Sequence, residues 1–517
     1  MLKLKSSIAV LVLGLVVALF CGTSAQAQGW VKQFPWPSKA NGIAADSTGI
    51  YVVGKMCISP CTAENYDMAI MGKYESNNGD SIWFKFWDEG PVAAKGVAIG
   101  PSGVYVIGKG SAGSFIRRYD VDGTNPITKP LSAGYSPTDI AVDSSGVYVV
   151  GTLPVTTMGR TLSLVSKFDA SLNNDANFKL FTLQNLGNVS ATGISVDNSG
   201  VYVVGYTDGA LSGTSCIGIE DAFVAKCDKT YGDRVTSFGN NGIVQYGFPP
   251  FYNHAFARDV AVDSDNGGIY VAGDATGGLL AHTAFVEKRD PASGAVNWNT
   301  RFAPLRLMEI HAYGVSAYNG GVCVAGYLYG ALSGNTSLGG YDAFIRNYNA
   351  DGGLLLSEQF GTSGDDKVFG VSAVSTDPPA FYAAGSTTGI FPDQSSLGGE
   401  TAFFAKLPGA PRPMAAFSTL FGIIEAMQLN SGIQSSLFAK LSAAQNTVTA
   451  ISPSQTSASR INTVQVKGAN RQNAVNQMQA FINECEAQSG KKLTEEQAIL
   501  LIQKANEIID LINSSPR

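Results

Sequence analysis

Seven times along this chain a run close to Gly-Val-Tyr-Val-Val-Gly returns, ending at Gly54, Gly108, Gly151, Gly205, Gly273, Gly326 and Gly385. The spacing averages about 55 residues, near the long end of the periods that mark repeat architectures. Each run is β-branched and aromatic between glycines, the pattern of a short strand between turns. One such unit cannot bury its own faces; stacked neighbours can. The expectation is an all-β, seven-bladed β-propeller.

The rest of each unit follows in a fixed order. An inner strand with almost no charge comes first, as in Asp139-Ile140-Ala141-Val142-Asp143 and Gly193-Ile194-Ser195-Val196-Asp197. A tight turn leads into the glycine-bounded strand, and a connector of variable length leads to a third strand such as Asp221-Ala222-Phe223-Val224-Ala225-Lys226. An aromatic fourth strand closes most units, as in Trp83-Phe84-Lys85-Phe86. The seventh unit lacks one, because after Lys406 the chain enters Leu407-Pro408-Gly409-Ala410-Pro411-Arg412-Pro413, and proline has no N–H for a ladder. Trp30-Val31-Lys32-Gln33-Phe34 resembles the missing strand and is expected to complete the last blade.

Residues 29–407 resemble the SBBP family of bacterial β-propeller repeats, most closely in Gly205-Tyr206-Thr207-Asp208-Gly209-Ala210-Leu211-Ser212-Gly213 and Gly326-Tyr327-Leu328-Tyr329-Gly330-Ala331-Leu332-Ser333-Gly334. The second and third units depart from it, with shorter connectors and no Asp-Ala-Phe. The resemblance implies a fold and an exported location, and no reaction.

Past the proline-rich linker (408–413), glycine becomes rare and apolar residues fall at helical spacing. Phe417, Leu420, Phe421 and Ile424 form one stripe, Ile433, Leu437 and Leu441 a second, and Val475, Met478, Phe481 and Ile482 a third. Gly490 can end the third helix, and Thr494-Glu495-Glu496-Gln497 is a capping box for a fourth. Residues 414–517 are therefore expected to form a small all-α domain. The run from Phe481 to Thr494 resembles the FIMAH domain, a helical module at the C-terminal end of many secreted modular proteins. Its placement implies surface retention or assembly, and a plain cap or spacer is an equal reading.

Residues 1–27 read as a secretory signal: Lys3 and Lys5, an apolar run from Ile8 to Phe20, and Ala25-Gln26-Ala27 as the cleavage site. Removing it takes the net charge from −6 to about −8. With no dense basic run, a nucleic-acid partner is not expected, and no later segment is long and apolar enough to span a membrane. The protein is expected to be secreted, extracellular or at the cell surface, with the periplasm as an alternative. Six of the seven cysteines remain after cleavage, in a compartment that permits disulfides. Cys57 and Cys61 share one loop and are candidates for a local bridge. Cys216 and Cys227 are a weaker candidate pair, while Cys323 and Cys485 read as buried small hydrophobes.

Chemistry is scarce. The three histidines, His254, His282 and His311, have no companion at metal-ligand spacing, and no nucleophile elbow, P-loop or CxxC occurs. Asp120-Val121-Asp122-Gly123, Asp263-Ser264-Asp265-Asn266-Gly267 and Asn349-Ala350-Asp351-Gly352 offer oxygens that could hold calcium, but hairpin turns demand the same residues, and turn geometry is the favoured reading. No cofactor, metal or catalytic residue is expected. Rigid strands carrying long, aromatic connectors on one face suggest a binding surface. Its candidates are Tyr206, Phe248, Phe251, Tyr252, Tyr327 and Tyr329; the alternative for each is to cover a hydrophobic blade edge. The expected function is non-catalytic binding of a protein or glycan. Alternatives are a lyase or glycosidase with carboxylates converging in the central funnel, or a structural component of an envelope or matrix.

Overall fold

The computed structural model describes residues 29–514, apart from 58–67, 88–91, 179–180, 184–186, 212, 250–251, 264–266, 278–280, 305–307, 320, 334, 377–378, 408–415, 418–419, 422, 425–426, 428 and 452–462. The signal segment, Cys61, Phe251 and the prolines of the linker thus lie outside the described residues. Two compact units emerge, one built on Gly29–Leu407 and one on Pro408–Ser515.

The first unit is a seven-bladed propeller. Five blades are separate four-stranded antiparallel sheets, and the other two share one seven-stranded sheet. They share it because a single strand, Trp30–Asp46, serves both. Its first part pairs with Thr401–Leu407 of blade 7, with Trp30 opposite Lys406 and Gln33 opposite Phe403. Its second part pairs with Gly49–Met56 of blade 1. The N-terminal segment therefore does close the ring by a hydrogen-bonded ladder.

The repeat residues build the contacts between blades. Tyr51, Tyr105, Tyr148, Tyr202 and Tyr270 are fully buried, and burying a side chain of this size stabilises by about 1.5–3 kcal/mol. Several of these hydroxyls donate into a turn of the next blade: Tyr148 to Lys229 O at 3.3 Å and Tyr202 to Pro291 O at 3.3 Å. The lysine ending the third strand reaches the same oxygen, Lys167 at 2.9 Å and Lys226 at 2.6 Å. Asp or Asn residues shape the receiving turns, as Asp290 does by accepting from Ala292 N and Ser293 N. In the first Asp-rich string, Asp120 accepts from Arg118 at 2.9 Å and the turn supplies Val121 O to Lys73 at 3.4 Å. These turns have a structural task.

The closing glycine of each repeat has a different reason from the turn glycines. Its second strand packs against a bulge in the inner strand, where the register slips by one residue in every blade. A Cβ at Gly205 would sit 2.1 Å from Ser190 O, and one at Gly326 only 1.9 Å from His311 O. Glycine is required here by close backbone approach rather than by a positive φ.

The second unit is helical. Helices α1 (Ser431–Ile451), α2 (Thr463–Gln488) and α3 (Glu495–Ser514) pack around a core that includes Leu437, Leu441, Met478, Phe481, Leu501 and Ile508. Phe417, Leu420 and Ile424 join the same core. The capping box forms reciprocally: Thr494 N donates to Gln497 Oε1 at 3.0 Å, and Gln497 N donates to Thr494 Oγ1 at 3.1 Å. Gly490, with φ of 70°, follows α2.

Cys57 is disulfide-bonded. Cys216 and Cys227 are both free, which corrects the weaker pairing considered for them. Cys216 is exposed while Cys227 is buried on its strand, where apolar packing occupies it. Cys323 and Cys485 are buried and free.

Candidate functional site

Each inner strand begins where the second strand of its blade ends; His254 opposes Thr276 and His311 opposes Tyr327. The connectors that leave the second strands therefore emerge around the entrance to the central channel, at the beginnings of the seven inner strands. The long ones are not loose. In blade 4, Leu211 is buried and its N–H donates to Gln245 Oε1 at 2.9 Å, while Gln245 Nε2 donates to Asp221 at 2.8 Å. Blade 6 repeats this with Leu332, Gln359 and Asp342. In blade 7 the N–H of Phe391 donates to Gln33 Oε1 at 3.0 Å, so the N-terminal strand supplies the clamp that an ordinary fourth strand supplies elsewhere. The connectors form a fixed rim.

Inside that rim, side chains touch from blade to blade. Tyr206 meets Phe256 edge-on at 5.0 Å, and the Arg258 guanidinium lies 4.7 Å from the Phe256 ring and 5.2 Å from Tyr313. Tyr313 stacks on Tyr327 at 5.5 Å and 16°, and meets Phe369 at 5.9 Å. Lys39 stands 4.1 Å over Phe369, and Lys367 stands 4.2 Å over Tyr341. One run of rings and cations thus passes through blades 4, 5, 6, 7 and 1. Most of these residues are half-buried, and Tyr329 at the outer end is 45% exposed, edge-on to Tyr341 at 5.7 Å.

An ionic chain lies within this run. Arg258 clasps the fully buried Asp274 through two bonds, Nε to Oδ1 at 2.8 Å and Nη2 to Oδ2 at 3.1 Å. His311 Nδ1 stands 3.3 Å from Asp274 Oδ2, at ion-pair distance though off the line of a good hydrogen bond. Its Nε2 meets Glu309 Oε1 at 2.8 Å, and Tyr341 donates to Glu309 Oε2 at 2.6 Å. Burial works against charge on Asp274, but His311 and Arg258 outweigh it and hold its carboxyl below the ordinary value. Burial also opposes the His311 imidazolium, and the two carboxylates override it, so the histidine titrates above its ordinary value.

Deeper, at the bulges, the channel narrows to a waist. The aligned positions are Gly42, Gly96, Asp139, Gly193, Asp259, Gly314 and Gly370. A Cβ on Gly42 would lie 3.3 Å from the Cα of Gly96, and one on Gly314 would lie 3.2 Å from the Cα of Gly370. Two carboxylates therefore do sit near the axis. Asp139 accepts from Ile140 N at 2.8 Å and from Ile194 N of the next blade at 2.9 Å. Asp259 does the same with Val260 N and Val315 N, both at 2.8 Å. Burial, then the charge of Asp259, raises Asp139 above the carboxylate range; burial raises Asp259 less far. Each oxygen is committed to a backbone donor, so the pair ties blade 3 to 4 and blade 5 to 6.

The sequence candidates divide. Tyr206, Tyr327 and Tyr329 come together at the mouth. Phe248 turns away onto Phe285 at 5.1 Å and Tyr246 at 5.9 Å, the edge-covering alternative, and Tyr252 donates its backbone N–H to Phe248 O. Sequence reasoning missed Lys39, Arg258, Asp274, Glu309, His311, Tyr313, Lys367 and Phe369. A signal was present. The position after each closing glycine reads Lys55, Lys109, Thr152, Tyr206, Asp274, Tyr327 and Ser386, and this variation among near-identical runs marks the mouth. Among the described residues no group of three or more His, Cys, Asp or Glu is arranged to hold a metal ion.

No family model matches the chain, and no curated protein sequence is similar to it. Solved structures with a similar fold include the Cps50 (Swd1) β-propeller domain of Myceliophteria thermophila, at 7% identity over 72% of this chain and 99% of that one, with a TM-score of 0.42. Another is quinohemoprotein alcohol dehydrogenase ADHIIG of Pseudomonas putida HK5, at 10% identity over 74% and 76%, with a TM-score of 0.41. YCF48 of Cyanidioschyzon merolae matches at 10% identity over 73% and 98%, with a TM-score of 0.38. Such neighbours include enzymes and non-enzymes alike.

Proposed function

We propose that this chain is an exported, non-catalytic binding protein of the SBBP type, taking a protein or glycan ligand at the channel mouth on the long-connector face. The observation that carries this reading is the contrast between repeated framework and varied mouth. Tyrosine, lysine and glycine recur where blades join, while the residues facing the entrance vary from blade to blade. Rings and cations held half-exposed by a fixed rim are groups pre-positioned for a ligand. The axial carboxylates Asp139 and Asp259 support a non-catalytic role, since backbone donors hold them. Export is supported by the leader pattern of residues 1–27, and the FIMAH-like helical unit fits retention at a surface.

One observation favours an enzyme instead: in the Asp274–His311–Glu309 chain an imidazole links a buried carboxylate to the partly exposed Glu309, a path along which a proton could reach the mouth. The test is capture of partners from envelope and medium with the full chain, run beside a Tyr327→Ala/Tyr206→Ala variant. Loss of a specific partner in the variant supports the binding reading. A partner held equally by both proteins sinks it, and turnover of a candidate glycan that disappears in His311→Gln replaces it with the enzyme.

A further inference from the structure

The two sides of the mouth differ in charge balance. On blades 7, 1 and 2 stand Lys367, Lys39, Lys55, Lys95 and Lys109. Lys39 lies directly opposite Lys55 in the ladder, and Lys109 is opposite Ala93, two residues before Lys95. Glu400 stands with them, 3.7 Å from Lys39 and near enough to favour the charged form of Lys55. Burial first, and then the neighbouring lysine, makes Lys55 and Lys95 easier to deprotonate, so these charges repel one another. In a chain with 41 acidic and 35 basic residues, such a concentration runs against the overall balance.

These cations also lie beside flat apolar faces. Lys39 is over Phe369, Lys367 is over Tyr341 and 5.3 Å from Tyr327, and Tyr327 stacks on Tyr313. Below them, the inner strands of adjacent blades pack closely at the bulge glycines. A sugar ring offers a C–H face to an aromatic plate and, in a uronic acid, a carboxylate at its edge. It therefore asks for a plate and a cation side by side. An acidic peptide asks instead for cations spaced along an extended backbone.

We propose that the mouth binds an acidic saccharide, with Lys39 and Lys367 taking a carboxylate and Tyr327, Tyr313 and Phe369 taking the ring faces. This rests on the binding reading above and names its ligand class. The test is calorimetric titration of the full chain with three probes: a short oligogalacturonate, its methyl ester, and a poly-glutamate of matched charge. Oligogalacturonate is expected to bind about tenfold tighter than the ester, one charge-assisted contact's worth, and to weaken with salt. Lys39→Gln/Lys367→Gln should erase that preference, whereas Tyr327→Ala should weaken acid and ester alike. Thermal melts of each variant confirm folding.

Equal binding of acid and ester overturns the proposal and leaves the mouth as a binding site for neutral sugars. Tighter binding of poly-glutamate overturns it in favour of an acidic peptide. Absence of binding by all three also overturns it. The broader reading then stands or falls separately, on whether Tyr327→Ala/Tyr206→Ala loses a captured partner.

Discussion

The entrance to this channel has two arcs built on the same backbone, and they handle charge in opposite ways. On blades 5 and 6, Arg258, Asp274, His311 and Glu309 neutralise one another at distances of 2.8–3.3 Å. On blades 7, 1 and 2, lysines face lysines, with Glu400 as their described carboxylate partner. A closed network is a structural solution, because removing one member leaves buried charge unmatched. An open array repels itself and is relieved when something negative arrives. The comparison teaches that charge alone does not mark a ligand seat; a local excess of one sign does.

The largest expected break of this comparison is Asp274→Ala. It strands Arg258 and His311, and about 3–5 kcal/mol of stability should be lost, measurable by urea unfolding. A loss below 1 kcal/mol would mean that the closed arc is not a mutually dependent unit. The rim should respond next. Gln359→Ala removes the acceptor for Leu332 N and a donor to the buried Asp342, a loss of about 1–3 kcal/mol, with faster amide exchange in the blade 6 connector.

Below both arcs, the waist should make stability depend on pH. Asp139 and Asp259 titrate higher folded than unfolded, so the folded chain holds protons that the unfolded chain has released. Their contribution is complete in acid, below the unfolded value, and drains away as pH rises through the folded values. His311, also raised, acts in the same direction. The melting temperature should therefore rise as pH falls from about 8 to about 5. Asp139→Asn/Asp259→Asn should flatten most of that slope, and a slope of opposite sign would contradict the assignment. The smallest effect should come from the open arc itself. Lys95→Gln relieves repulsion with Lys109, so stability should change by no more than about 0.5 kcal/mol, and upward at low salt.

The sequence made the propeller legible because its framework residues repeat: the closing glycine marks each blade, and the buried tyrosine and strand-ending lysine mark most of them. It also placed Trp30–Phe34 on blade 7, since proline stops the chain after Lys406. The mouth was legible only in part. Tyr206, Tyr327 and Tyr329 stood out as aromatics on long connectors. Arg258 and His311 sit inside inner strands, where pattern reading sees only strand, and their partners come from neighbouring strands. The closing glycine was legible as a strand end, but its reason, a bulge in the strand beside it, exists only once the two strands pair. Phe248 stayed open between two readings because an aromatic connector looks alike whether it faces a ligand or covers a blade edge.

The strand shared by blades 7 and 1 sets the order in which this molecule can be made. Gln33 lies at the start of the propeller, yet its side chain bonds groups 356 and 368 positions further on. Those partners do not exist until nearly the whole propeller has been synthesised, and bringing such distant segments together is slow. Blades 2 to 6 can form as they emerge, each from local hairpins. The ring cannot close until residue 407 is available and the segment from Trp30 is free to pair. A chain with this topology remains an open arc through synthesis and becomes a ring in one late step.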